Sequence, residues 1–504
     1  MNRAYLKKVN QQFKKSILTT LFFFTAILSC LAQVGIGTNT PNTSSVLDLT
    51  STTKAFLPPR MTTAQRKAIT NPVAGMMVFN TDSTCVELYS GTAWINLCTI
   101  NIASPPLFNG TVTPLSPVAV TKTTSQRVFV HLVPWFATPA TNNGNWGLHW
   151  TMANENPNTI TNGYRQIASY YYPLTGPYAS SDTTIIDYEL LLMKLSGVDG
   201  IFIDWPGTGT NNGTADDLPL NAANAKAFIS RIGKAGLTYA LVYEDADLSS
   251  VSNKIAQAQT DMTYAQTNYF SDPNYEKVNG QPLLLDFGPQ QITTGANWTS
   301  VFSVLTTKPA FFTLMYQSNE ASGNATGEFA WVNSDSTTSL SGFYNSSYNP
   351  GTKISCAYPG FNSFYVAGGW GNPTPFTISY NNSGGTTFAE TLNLALNSGN
   401  HYLQVATWND YGEGTMIEPT DSTTGFSATQ GLSNKGFGFS FLTTLQQKLG
   451  VSALSQSDLA AALQLYQLRQ TNASNPSVLL QLDQVYYYIV SLQMSKAKAL
   501  LATL

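Results

Sequence analysis

The chain predicts an α/β fold closed as a (β/α)8 TIM-type barrel, and three observations carry that expectation. From Arg127 onward, short apolar runs alternate with helical patterns, the mark of parallel βα units. Seven of the runs read as strands: Val128 to Val133, Gly200 to Asp204, Thr238 to Glu244, Leu283 to Asp286, Phe311 to Met315, Lys353 to Ala357 and Leu403 to Thr407. Either Thr267 to Phe270 or Phe329 to Val332 supplies an eighth. No glycine-rich phosphate loop follows any of these runs, which disfavours an open doubly wound sheet.

In chain order, residues 1–32 read as a secretory signal. Arg3, Lys7, Lys8, Lys14 and Lys15 precede the apolar run Ile17 to Leu28, and Ser29-Cys30-Leu31-Ala32 supplies small residues for cleavage before Gln33. The run is short for a membrane span. Ile27-Leu28-Ser29-Cys30 also reads as a lipid-attachment box, a poorer fit because a leucine precedes Ser29. The mature chain is therefore expected to be secreted, periplasmic or on the cell surface. Residues 33–105 form a small β-rich module in which Cys85 and Cys98 bracket a Ser90-Gly91 turn, a plausible disulfide in an exported protein. Cys356, in an apolar setting, reads as a buried thiol. Residues 106–126, rich in Pro, Ser and Thr, read as a linker. Residues 127–450 are the barrel. Within it, Ser181-Asp182 caps a helix that Gly197 ends, and Gly236 stops one begun near Asn221. Residues 451–504 are a helical segment whose last part, Val478 to Leu504, mixes apolar residues with Gln481, Asp483, Gln493, Lys496 and Lys498 and reads as a docking helix.

Composition narrows the chemistry. Charged residues make up 11% of the 504, against a usual value of about 25%. The net charge of −3 provides no basic footprint for nucleic acid. A polar, nearly uncharged surface suits neutral sugars. The three histidines form no HxH or HExxH pattern, and no serine sits in a GxSxG elbow, so neither a metal hydrolase nor a serine hydrolase is expected, and no cofactor.

The segment Trp408-Asn409-Asp410-Tyr411-Gly412-Glu413-Gly414-Thr415-Met416-Ile417-Glu418-Pro419 sets two acids three residues apart after a strand. One protonated and one ionised carboxyl are the minimal equipment for acid/base cleavage of a glycosidic bond. Trp408 and Tyr411 can desolvate one acid and so raise its pKa. In a barrel, Asp204-Trp205, Tyr243-Glu244-Asp245, Asp286 and Asp410 all fall at carboxyl ends of strands, where active sites are built. Each of them also has a bland reading as a rim hydrogen bond or a helix cap.

Trp408 to Glu413 resembles the catalytic segment of glycoside hydrolase family 71, and Gly412-Glu413-Gly414-Thr415 with Ile417-Glu418-Pro419 resembles that of family 99. Val128-Phe129-Val130-His131 with Pro134-Trp135-Phe136, Trp146-Gly147-Leu148-His149-Trp150, Tyr171 to Tyr178, Gly197-Val198-Asp199-Gly200 with Ile203-Asp204-Trp205, and Val242-Tyr243-Glu244-Asp245 extend the resemblance over residues 127 to about 449. It implies endo-acting hydrolysis of a neutral α-linked polysaccharide, α-1,3-glucan or α-mannan, without metal. It also implies Glu413 as the acid and Asp410 as the base, acting on water or on the sugar's own 2-hydroxyl. Family 99 has glutamate where this chain has Asp410, and one methylene fewer withdraws the carboxylate by roughly 1.5 Å. The wider gap favours water, and hence inversion. By the same resemblance Glu244 lines the cleft. His131 and His149 read as sugar ligands or as satisfied core residues, and Trp135, Trp150, Trp205 and Tyr178 as stacking platforms or as core.

Gln33 to Thr38 and Ala55 to Thr62 resemble N-terminal modules of secreted bacterial proteins, some similar to phage tail-fibre segments, which implies attachment or oligomerisation. That module also lends weight to a rival from another class, a non-catalytic glycan-binding or surface-adhesion protein on a barrel scaffold.

Overall fold

The structure is a computed structural model that describes residues 33–98, 108–210, 217–335, 337–346, 352–373, 376–380, 386–423, 425–426 and 435–504. The signal and lipid-box readings of residues 1–32, and Asn211 and Asn212 past Trp205, lie outside the described residues. The chain divides into two compact units, Met1–Pro105 and Pro106–Leu504.

In the first unit, Val34–Ile36 pairs in parallel with Leu47–Leu49. Arg60–Met61, Met77–Asn80, Cys85–Tyr89 and Trp94–Asn96 form a four-stranded sheet. The Cys85–Cys98 disulfide staples that sheet across the turn, and Gly91 supplies the positive φ that the turn requires.

The second unit is built on eight strands: β1 (Arg127–Leu132), β2 (Gly200–Trp205), β3 (Thr238–Tyr243), β4 (Gln281–Asp286), β5 (Ala310–Leu314), β6 (Ala325–Phe329), β7 (Thr352–Ala357) and β8 (Tyr402–Val405). All neighbours pair in parallel in sequence order, and β8 returns to β1, so the sheet is closed. Strands buried on both faces need largely apolar runs, which these sequences supply except in β6, Ala-Thr-Gly-Glu-Phe. The eighth strand is β6, and it overlaps the Phe329 candidate by a single residue. Gln266–Phe270 is instead a π-helical extension of the preceding helix.

Helix α1 (Thr183–Leu195) starts where Asp182 accepts from the Thr184 N–H and ends before Gly197, whose φ is 85°. Helix α2 (Leu218–Ala235) is capped by Asp217 and ends at left-handed Gly236. Toward the C-terminus, α3 (Gln456–Thr471), α4 (Pro476–Val490) and α5 (Met494–Leu501) belong to the same unit, and α3 packs on α1. The expected single docking helix from Val478 is thus two, broken at Leu492, where φ is positive. Residues Thr113, Val118 and Thr123 hydrogen-bond to Gln484, Val490 and Leu449, so this stretch of the linker segment lies along the second unit. Cys356 is buried in β7. Among the described residues no helix is long and apolar enough to cross a membrane, and no cluster of His, Cys, Asp and Glu has the make-up of a metal site.

Candidate active site

The carboxyl ends of the strands open onto a cavity of about 230 Å³, and Asp410, Glu413, Glu244, Asp204, His131 and Trp135 line it. A second cavity of about 320 Å³ shares Trp135 and Asn221 with the first and adds His149.

The acids sit on a closed turn. Thr407 and Thr415 bond through backbone and hydroxyls, the Asp410 N–H donates to Thr407 Oγ1 at 2.9 Å, and the Glu413 N–H donates to Asp410 Oδ1 at 2.9 Å. The turn is tied to β1: Trp408 N–H donates to the His131 carbonyl, and Asn409 pairs with both backbone groups of Val133. Local bonds thus shape the turn, and the contacts with His131 and Val133 fix it against the barrel.

Burial raises the Asp410 pKa to about 6, held from going further by the N–H groups of Glu413 and Gly412 and by the charge of His149. Burial, and then the Asp410 charge, raises Glu413 to about 8, against the Tyr365 hydroxyl that donates to its Oε1 at 3.0 Å. On losing protons, Asp410 ionises first and Glu413 keeps its proton longer. Asp204 and Glu244 hydrogen-bond to each other, and burial together with the Asp204 charge keeps Glu244 protonated far above the ordinary carboxyl range. Asp286 is fully buried beyond the cavity lining, and burial raises its pKa strongly.

His131 is pushed down to about 3 by burial, and its Nδ1 has no partner among the described residues. A neutral imidazole at the cavity wall can bond a hydroxyl but cannot serve as a cation. Trp135 Nε1 likewise lacks a partner among the described residues, while the Trp135 ring stacks on His149 at 3.9 Å.

Trp150, Trp205 and Tyr178 take the core reading rather than the stacking one, and Trp408 and Tyr411, beside the acids, are buried with them, although the sequence makes all five candidates for substrate binding. Trp205 is fully buried among Tyr243, Tyr264 and Tyr269. Trp150, Tyr178 and Tyr411 enclose Phe136, and Trp408 donates from Nε1 to Glu189 of α1 at 3.1 Å. None has a face left to offer, because the residues around these strand ends form a second aromatic layer behind the cavity. Thr208, a polar residue just past Trp205 and a candidate for substrate choice, donates to Asp261 from both its N–H and its hydroxyl.

The cavity also holds residues that the sequence did not flag. Tyr365 lies in the loop after β7, Trp331 follows β6 and packs edge-on against His131 at 4.7 Å, and Asn221 opens α2. A run of aromatics and glycines after a strand, Phe361 to Trp370, was the available signal for Tyr365. Behind the turn, Glu418 accepts from the Tyr178 hydroxyl at 2.8 Å, and burial raises its pKa to about 8.

This architecture is a TIM barrel with the fold of family 99 glycoside hydrolases, preceded in sequence by a small β-rich module. Residues 35–114 match the family described as "Phage tail like trimerisation region". The GH99 endo-alpha-mannosidase from Bacteroides thetaiotaomicron superposes with a TM-score of 0.50 at 16% identity, over 68% of this chain and 99% of that one. A second structure of it, with BIS-TRIS-propane bound, gives 0.49. The glycoprotein endo-alpha-1,2-mannosidase of Xenopus laevis is 26% identical over 165 residues, 31% of this chain. The match spans 34% of that relative's own length.

Proposed function

We propose that this protein is an exported endo-acting glycoside hydrolase of neutral α-linked polysaccharide, α-mannan or α-1,3-glucan. The observation that carries the reading is the Asp410–Glu413 turn at the end of β8, with both carboxyls lining one cavity and retaining protons to different pH. Glu413 donates its proton to the departing glycosidic oxygen. Asp410, ionised, accepts a proton from the attacking water, for which its short side chain leaves room, and the anomer inverts. Asp204, Glu244 and His131 hydrogen-bond the sugar hydroxyls. A mannoside substrate agrees with the names of the relatives, a glucan with the resemblance of Trp408 to Glu413 to family 71. A purely adhesive barrel has no use for a protonated acid beside an ionised one. Export agrees with the cationic and apolar N-terminus and with the Cys85–Cys98 disulfide.

We also infer that the N-terminal module self-associates. Val34, Ile36, Leu47, Leu49, Phe56 and Leu57 are exposed on a module too small to bury them alone.

Release of reducing ends from α-mannan and α-1,3-glucan tests the catalytic reading. Glu413→Gln should release at least about a hundredfold less than the wild type from the polymer that is cut. Equal release by the two proteins removes Glu413 as the acid.

A further inference from the structure

The loop after β7 is welded to the acid turn. The N–H of Asn362 donates to the Glu413 carbonyl at 2.9 Å, and the N–H of Phe364 donates to the Gly412 carbonyl at 2.7 Å. Further along, Trp370 N–H returns to the Tyr365 carbonyl at 2.8 Å. Gly369 and Gly371, both at φ 85°, flank the tryptophan. The other side of the loop is pinned as well: Ala153 N–H donates to the Gly368 carbonyl, and Asn154 Nδ2 donates to the Ala367 carbonyl.

This rigid frame holds the Trp370 ring stacked on Tyr365 at 5.8 Å and 22°, and edge-on to His149 at 5.8 Å. A hydrogen bond from Tyr365 ties this stack to Glu413, whereas Asp410 is reached only through the charge of His149, so the indole stands one residue removed from the Glu413 carboxyl. Tyr365 lines the first cavity and His149 the second, so the Trp370 ring packs against one lining residue of each. Yet it remains 36% exposed, unlike Trp150, Trp205 and Trp408, which are completely covered. An immobilised, part-exposed amphipathic ring packed on the tyrosine that bonds the proposed acid, in a protein with a nearly uncharged surface, suits the apolar face of a pyranose.

We propose that Trp370 is the stacking platform for the sugar unit on the leaving-group side of the cleaved bond, so that the barrel grips the polysaccharide on both sides of the scission point. The side follows from the chemistry of the acid. Glu413 protonates the departing oxygen, and the Tyr365–Trp370 stack extends from Glu413. This assignment rests on the hydrolase reading, and the experiment separates the two.

Retardation of the full chain in native gels containing α-mannan or α-1,3-glucan is measured in the Glu413→Gln background, alone and with Trp370→Ala or Trp370→Phe. Affinity should fall about tenfold with alanine and recover to within about threefold with phenylalanine. In the active chain, Trp370→Ala should raise KM on the polymer about tenfold with a smaller loss in kcat, and it should affect a glycosyl fluoride, which has no sugar on that side, less than the polymer. Retardation indifferent to the ring, or absent with both polymers, overturns the platform, as does a loss shared by both aromatic and alanine variants with a lowered melting temperature. Equal losses on polymer and fluoride overturn the side assigned to it. Ring-dependent retardation by a wild type that hydrolyses neither polymer removes the catalytic reading, and with it the side assigned to Trp370, while the sugar platform stands.

Discussion

Two carboxyls three positions apart hold their protons to different pH because their surroundings differ. Asp410 receives backbone N–H groups that favour its charge, whereas Glu413 faces that charge with one tyrosine hydroxyl to offset it. In the proposed reaction the productive state has Asp410 ionised, which requires a pH above about 6, and Glu413 protonated, which requires a pH below about 8. The kcat/KM profile should therefore rise through about 6 and fall through about 8, with the two limbs belonging to the pair as a unit. A profile flat across that window would leave the pair without an acid–base role. His131, neutral down to about 3, contributes no limb of its own. The acids were legible in the sequence because their geometry is local: a strand, a turn and two threonines. Tyr365 and Trp331 were not, because the loops that carry them reach the cavity only once the barrel closes. The misplaced aromatics show the same limit, since Trp205 and Trp408 sit at strand ends where one residue of register decides between cavity and core.

At the level of elements, seven strands announced themselves through β-branched and aromatic runs, and β6 did not. Its sequence Ala-Thr-Gly-Glu-Phe looks unlike a strand because Gly327 answers a packing demand. A Cβ there would lie 2.3 Å from the Phe312 ring, beside a register shift on the neighbouring strand. Conversely, the aromatic content of Gln266–Phe270 suggested a strand where the helix simply runs on. The C-terminal helices owe their seat to an ion network equally invisible in sequence. Buried Asp187 of α1 accepts from Arg231 of α2 at 2.7 Å and 2.6 Å, and from Arg469 of α3 at 2.7 Å. Arg469→Ala should cost about 2 kcal/mol, read as a lower urea midpoint of the barrel transition, because it strips one partner from a buried carboxylate. Asp483→Asn, which removes a half-exposed partner of the same arginine, should cost under about 0.5 kcal/mol. If the two variants melt alike, the network is not what seats the helices.

For the whole molecule, the exposed apolar residues of the first unit matter most. Phe56 and Leu57 are each more than 60% exposed. If the module assembles as the matched trimerisation region does, the intact protein should sediment as a trimer, and Ile36→Asp with Leu49→Asp should shift it to monomers without lowering hydrolysis per barrel. A wild type that sediments as a monomer at all concentrations overturns the self-association reading. The paired backbone between residues 362–364 and 412–413 has a different reach. Because the β7 loop and the largely buried acid turn, from different parts of the chain, are joined by two backbone hydrogen bonds, neither can be transplanted alone. An engineer who grafts the β7 loop of a relative to change what the cavity accepts would have to exchange the acid turn with it, and natural lineages face the same coupled inheritance.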